Sequence, residues 1–191
     1  MENVLKDSRG TRYIILINII IHIFSIFGLL TPTVLGINAI AIINKGQWYR
    51  LIGNMFSHFN IMHLLCNMYA FFSFGILIEK LLGTKKFITF YISSGVLCSI
   101  MVLAIDYIFK LNILAAGASG AIFSLMGYLL IISNRLHGLG RTIARNVVIT
   151  LIISSLAGGS LICHIAGLIS GIIVANTMCK YKNNDKNKFN P

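Results

Sequence analysis

The sequence predicts an all-α membrane protein, a bundle of six transmembrane helices with both termini in the cytoplasm. Three observations predict it. Apolar runs of about 18 residues or more recur along the chain. Of its 191 residues, 57% are hydrophobic and only 11% are charged, which is more apolar surface than a soluble domain of this size buries. The basic residues cluster in alternate loops between the runs.

The apolar runs give the order of the helices. The first four lie at about 13–30, 51–78, 87–109 and 117–134. A further apolar stretch, at about 146–179, is too long for one crossing at about 1.5 Å per residue, and Gly158-Gly159 is the natural break between a fifth and a sixth helix. The predicted organisation is a cytoplasmic segment 1–12, a membrane domain 13–180 with a first external loop 31–50, and a basic cytoplasmic tail 181–191.

The basic residues predict the orientation of the bundle. All of the 16 Lys and Arg residues except Lys45, Arg50 and Lys110 fall in the termini and in the loops that six crossings place on one side. Cytoplasmic loops carry the excess of positive charge, so we expect that side to be the cytoplasm. The net charge of +11 does not indicate nucleic-acid binding, because the basic residues flank apolar runs and form no stripe with aromatic residues. The composition favours a bacterial plasma membrane.

The second apolar run carries a cluster of polar residues, His58, His63 and Asn67. Polar side chains inside a membrane are costly and often functional. His63 and Asn67 are four residues apart, so they share one face of a helix, while His58 lies slightly off that line. The alternative is a hydrogen-bond network between helices with only a structural role.

The fourth run opens with small residues around Ser119, in the sequence AGASGA. Glycines there expose the backbone, and N–H groups at the start of a helix are free to stabilise an oxyanion beside the serine. The alternative is a stripe of small residues that serves helix packing alone.

The sixth run carries His164, followed by Gly167 and Gly171 in a GxxxG step. This step predicts close packing against the small residues of the fourth helix. Ser119 and His164 would then lie at similar depth, and a histidine is the usual base that activates a serine.

The other ionisable residues favour a Ser–His dyad over a triad or a metal centre. The five acids are Glu2, Asp7, Glu79, Asp106 and Asp185, and only Asp106 is expected near the external side. The histidines lack the carboxylate or thiolate partners of a metal site, so we expect no metal and no cofactor. The four cysteines, Cys66, Cys98, Cys163 and Cys179, have no CxxC spacing and are expected to be small buried apolar residues.

Taken together, these motifs resemble the rhomboid family of intramembrane serine proteases over residues 48–175. The resemblance rests on Trp48 and Arg50 in the first loop, where the family has a Trp-Arg pair and this chain has Tyr49 between them. It also rests on the patterns His58-x4-His63-x3-Asn67, Gly117-Ala118-Ser119-Gly120 and His164-x2-Gly167-x3-Gly171. Each pattern is weak alone, but their order along the chain is specific.

The resemblance implies a role for each matching residue. Ser119 would be the nucleophile and His164 the general base and acid. His63, Asn67 and the N–H of Ser119 would form the oxyanion hole. The supporting residues would be Gly117, Gly120, Gly167 and Gly171 in close packing, Phe123 under the histidine where the family often has tyrosine, His58 in the fold or a water site, and Arg50 as an anchor of the first loop.

The expected partners are transmembrane segments of substrate proteins and the lipid bilayer. A substrate helix would enter laterally near the second and fifth helices, and its peptide bond would be hydrolysed near the external side. Two other hypotheses remain: a catalytically silent rhomboid-like protein that binds membrane helices, and a small transporter with a polar pathway through His58, His63, Asn67 and His164.

Overall fold

The computed structural model describes residues 8–133, 140–156 and 159–187. Within these ranges the chain is helical without strands, and Ile37 and Ala115 form an isolated bridge. Six helices have 15 residues or more. They are α1 (Arg9–Ile26), α2 (Ile61–Leu82), α3 (Thr84–Phe109), α4 (Ser119–Ser133), α5 (Gly140–Leu156) and α6 (Leu161–Asn187).

Four of the six helices are long and apolar enough to cross a membrane: α1, α2, α3 and the Leu161–Met178 part of α6. The other two are shorter, with 15 residues in α4 and 17 in α5. The prediction of an all-α, multi-pass membrane protein is therefore confirmed, whereas six crossings and the cytoplasmic termini stay predictions.

The start of the second helix differs from the prediction. Residues 50–56 form two short turns, the helix Arg50–Gly53 and the 3₁₀ helix Asn54–Phe56. Helix α2 begins only at Ile61, where Asn60 Oδ1 accepts a hydrogen bond from the His63 amide at 2.8 Å. This side-chain cap ends the preceding segment and starts the helix. The placement of His58 within the second helix was therefore wrong.

The break predicted between the fifth and sixth helices is present, since α5 ends at Leu156 and α6 begins at Leu161. Gly159 lies in this break, and Gly158 falls outside the described residues. Helix α6 continues to Asn187, into the segment predicted as a tail.

The first loop is ordered by short helices and by two charged side chains. Arg50 is buried and donates hydrogen bonds from Nη1 to the Gly36 carbonyl and from Nε to Gln47 Oε1, each at 2.7 Å. The Asp106 carboxylate, at the end of α3, accepts from the amides of Ala39 at 3.1 Å and Ile113 at 2.9 Å. These contacts tie the loop to α3, and they give Asp106 a structural role.

Helices α4 and α6 pack backbone to backbone, as the glycine spacing predicted. A Cβ atom at Gly167 would overlap the carbonyl oxygen of Gly120, and one at Gly171 would overlap that of Ser124. The Ser124 hydroxyl also lies 2.9 Å from the carbonyl oxygen of Gly167. Only glycine permits such an approach, and it brings the start of α4 beside the start of α6.

Glu79, near the end of α2, joins α2 to the beginning of α1. Its carboxylate accepts hydrogen bonds from the amides of Gly10 and Thr11 at 2.8 Å and from the Thr11 hydroxyl at 2.7 Å. The Thr84 hydroxyl donates a further bond at 2.7 Å. The carboxylate thus satisfies free N–H groups at the start of α1.

Candidate active site

The backbone that leads into Ser119 is held by the segment before α2. Ile37 pairs with Ala115 through two hydrogen bonds, of 2.7 and 3.1 Å. The Gly117 amide donates to the Asn54 carbonyl at 2.8 Å, and the Ala118 amide donates to Nε2 of His58 at 3.3 Å. Because these contacts fix the chain up to residue 118, Ser119 begins α4 at a defined position.

His58 acts in this structure as a hydrogen-bond acceptor next to the serine. It precedes α2 and is fully buried. Burial, and to a lesser extent the neighbouring imidazoles of His63 and His22, lower the pKa of His58 to about 3. The side chain is therefore neutral at ordinary pH, which leaves Nε2 free to accept from Ala118. His58 thus contacts the backbone that precedes Ser119, and its expected role in the fold or a water site stays a prediction.

His63 and Asn67 converge on Gly117. A Cβ atom at Gly117 would lie 2.8 Å from Cε1 and 2.9 Å from Nε2 of His63, and 3.8 Å from Nδ2 of Asn67. Gly117 also has a φ of +127°, a conformation that other residues rarely adopt. Asn67 Nδ2 donates to the His63 carbonyl at 2.9 Å, and its second N–H is available for another acceptor.

His164 is buried where α6 begins. Its ring stacks on Phe123 with centroids 4.4 Å apart and planes at 24°. The phenyl ring of Phe123 therefore covers one face of the imidazole. Nε2 lies 3.3 Å from the hydroxyl of Ser154, on α5. Nδ1 is buried and has no hydrogen-bond partner among the described residues.

Ser119 and His164 line the same cavity, which has a volume of about 980 Å³. His63, Asn67, Gly117, Gly120 and Phe123 line it as well. The structure thus brings the predicted central residues to one cavity, whereas Arg50, Gly167 and Gly171 do not line it. No hydrogen bond joins Ser119 to His164 in the described residues.

The comparisons with known proteins show the family of the chain. The family model described as the Rhomboid domain matches residues 45–181, which is more than half of the chain. The chain belongs to the rhomboid family. The match contains all of the polar residues described around the cavity.

Curated rhomboid relatives are similar over much of the chain. Rhomboid protease GluP of Bacillus subtilis is 36% identical over 143 residues, which are 71% of this chain and 27% of that protein. Putative rhomboid protease YdcA of the same organism is 30% identical over 137 residues, 69% of this chain and 67% of that protein. Presenilin-associated rhomboid-like protein A of Danio rerio is 29% identical, over 69% of this chain and 32% of that protein. The chain thus spans about a quarter of GluP and two thirds of YdcA.

Other residues of this rhomboid cavity were missed or misplaced from the sequence. Ser154 contacts His164, although it lies in an apolar helix with no motif around it. Asn54 donates from Nδ2 to Ser99 Oγ at 2.9 Å, and both residues line the cavity. For Ser154 and Asn54, the signal available in the sequence was a polar side chain within an apolar run. Cys66 is exposed and lines the cavity, so the expectation that it is buried was wrong.

The remaining ionisable side chains add no metal centre to the described part of the rhomboid domain. No group of three or more His, Cys, Asp or Glu residues there is arranged to hold a metal ion. His22, on α1, is buried, and its Nδ1 has no partner among the described residues. It does not line the cavity.

Proposed function

We propose that this rhomboid protein is an intramembrane serine endopeptidase that hydrolyses peptide bonds in or near transmembrane helices of membrane proteins. One observation carries the proposal: Ser119, His164, His63 and Asn67 line a single cavity at the start of α4. The names of the bacterial relatives, which describe rhomboid proteases, support it. No cofactor and no metal are needed.

In this mechanism Ser119 Oγ attacks the carbonyl carbon of the substrate while His164 takes the hydroxyl proton. The negative oxygen of the tetrahedral intermediate lies near His63, Asn67 and the N–H of Ser119. Donors aimed at this oxygen stabilise the transition state more than the ground state. The C–N bond then breaks, and His164 gives its proton to the departing amine. A water molecule hydrolyses the acyl-enzyme by the same steps.

The substrate would enter between α2 and α5. Met62 and Tyr69 of α2 and Thr150 of α5 line the cavity, so it reaches both helices. A helical substrate has its carbonyl groups bonded within the helix, and it must unwind locally before one of them meets Ser119. Segments with glycine or proline near the cleavage position would therefore be cut more readily.

The orientation follows from the distribution of charge. Six crossings with both termini in the cytoplasm place the start of α4 toward the extracytoplasmic side. In the bacterial plasma membrane that we propose as its location, the cavity would open to that side and admit the water that hydrolysis requires.

The test is labelling and cleavage in membranes. We expect a fluorophosphonate probe to label the protein, and Ser119→Ala to abolish the labelling. Ser119→Ala and His164→Ala should each reduce cleavage of a single-span reporter below about a thousandth of wild type, while the protein stays folded. Ser93→Ala removes a hydroxyl from α3, away from the cavity, and should leave the rate unchanged.

The two other hypotheses predict different results. A silent helix-binding rhomboid protein would capture the reporter without labelling or cleavage. A transporter would need a polar pathway beyond the cavity, and Ser119→Ala would not affect it. Full cleavage by either catalytic variant would refute the protease.

A further inference from the structure

The hydroxyl of Ser154 contacts the imidazole that is proposed as the catalytic base. Ser154 Oγ lies 3.3 Å from Nε2 of His164. Its carbonyl accepts the Gly159 amide at 2.9 Å, and a Cβ atom at Gly159 would lie 2.5 Å from Cε1 of His164. Ser119 Oγ has no hydrogen bond to a described residue. The hydroxyl that the imidazole contacts in this state therefore belongs to α5 and not to α4.

The hydroxyls of Ser119 and Ser154 would have to share one nitrogen of the His164 ring. Nδ1 is buried without a described partner, so Nε2 is the nitrogen that is available in the cavity. In a neutral imidazole one nitrogen carries a proton and the other accepts. When Ser154 donates to Nε2, the proton lies on Nδ1. The same tautomer is the one that accepts the proton of Ser119.

We propose that Ser154 is a positioning residue that occupies Nε2 of His164 while no substrate is bound. The hydroxyl keeps the histidine in its basic tautomer but competes with Ser119 for the lone pair. Attack by Ser119 then requires the release of this hydrogen bond, which links the base to the position of α5. The inference rests on the proposed function, because it assigns His164 as the base for Ser119.

The packing of α5 allows such a release. Among the described hydrophobic side chains of α5, Val147 is the buried one. Val148, Ile149 and Ile152 are each more than 40% exposed. The helix packs mainly against α4. A substrate segment that displaces α5 would carry Ser154 away from the ring, while Phe123 on α4 keeps the ring in place.

The experiment measures the rate of labelling of the full-length protein by a small fluorophosphonate, which needs no helix docking. Ser154→Ala should label about two- to tenfold faster than wild type, since one competing hydrogen bond is lost. Ser154→Thr keeps the hydroxyl and should label at the wild-type rate. Ser154→Cys, of similar size but with a weak donor, should be faster than wild type, and it serves if the alanine variant does not fold. Ser93→Ala is the matched control.

The outcomes separate the inference from the proposed function. Labelling of Ser154→Ala at or below the wild-type rate, with the label still on Ser119, overturns the role of Ser154 alone. Acceleration in Ser154→Thr as large as in Ser154→Ala overturns it too, because the effect would then not come from the hydroxyl. Label that survives Ser119→Ala refutes the proposed function instead, and its loss in Ser154→Ala would identify Ser154 as the nucleophile.

Discussion

The two sides of the cavity are built differently. On one side α4 and α6 meet at their backbones, with Gly167 against Gly120 and Gly171 against Ser124. On the other side residues of α2 and α5 line the cavity, and Tyr69 of α2 is 78% exposed. The tight side carries Ser119 and His164, whose separation would have to stay constant in the proposed mechanism. The open side carries the residues that a substrate would pass if it enters as proposed.

In the proposed protease, this difference would separate two requirements of catalysis inside a membrane. Catalytic geometry tolerates little movement, because small displacements of reacting groups cost large factors in rate. Entry of a substrate helix requires that a helix lining the cavity can be displaced. Close packing of α4 on α6 meets the first requirement, and loose packing of α5 meets the second.

The largest loss of stability is expected where a side chain is added at the close contact between α4 and α6. Gly171→Ala places a methyl group against the Ser124 carbonyl and should separate α4 from α6. We expect a loss of several kcal/mol of stability, about 3 or more, together with loss of probe labelling. Thermal unfolding in detergent measures the first. The control is Ile173→Ala on the exposed side of α6, and an unchanged unfolding midpoint for Gly171→Ala would contradict the tight contact.

The stacking of Phe123 on His164 gives the next effect. Phe123→Ala removes a buried ring, which costs about 3 kcal/mol of stability, and frees one face of the imidazole. We expect cleavage to fall about a hundredfold at a temperature where the protein is folded. Phe123→Tyr keeps the ring and should retain the activity. Phe72→Ala removes an exposed ring from α2 and serves as the control. Equal activity of the Phe123 and Phe72 alanine variants would argue against a positioning role for the ring.

A substitution of Glu79 can show whether α2 or α5 is the helix that moves at the open side of the cavity. Glu79→Gln replaces an acceptor of four hydrogen bonds by an amide that presents two donors, and should cost about 2 kcal/mol of stability. Because Glu79 lies at the far end of α2 from the cavity, we expect no faster labelling, in contrast to Ser154→Ala. The measurements are the unfolding midpoint and the labelling rate, with Lys80→Gln as control. Faster labelling in Glu79→Gln would indicate that α2 moves.

The tight side was readable from the sequence patterns, whereas the open side was expected only through the family resemblance, as the place where a substrate enters near the second and fifth helices. Glycines at 167 and 171 have a spacing that by itself predicts helix contact, and the serine and histidine carry chemistry that few other residues supply. His58 was placed in the wrong element, because an apolar run does not show whether it is one helix or a helix preceded by short turns. The cap at Asn60 was the local signal that separates the two.

The contact of Ser154 depends on tertiary structure. It joins α5 to α6, and no periodicity or motif relates residue 154 to residue 164. A serine in an apolar helix often bonds to its own backbone, so the residue alone does not indicate a partner.

The smallest change in rate is expected from a larger side chain on α5 where the cavity is open. Thr150 of α5 lines the cavity, and Thr150→Phe should obstruct a substrate helix without touching Ser119 or His164. We expect kcat/KM for a single-span reporter to fall about fivefold, an effect of about 1 kcal/mol, while labelling by the small probe stays unchanged. Val148→Phe adds an aromatic ring at a position that is 54% exposed on the same helix, and should affect neither rate. A parallel loss of labelling and cleavage in Thr150→Phe would show that α5 supports the catalytic residues directly, and the distinction between a rigid and a movable side would then fail.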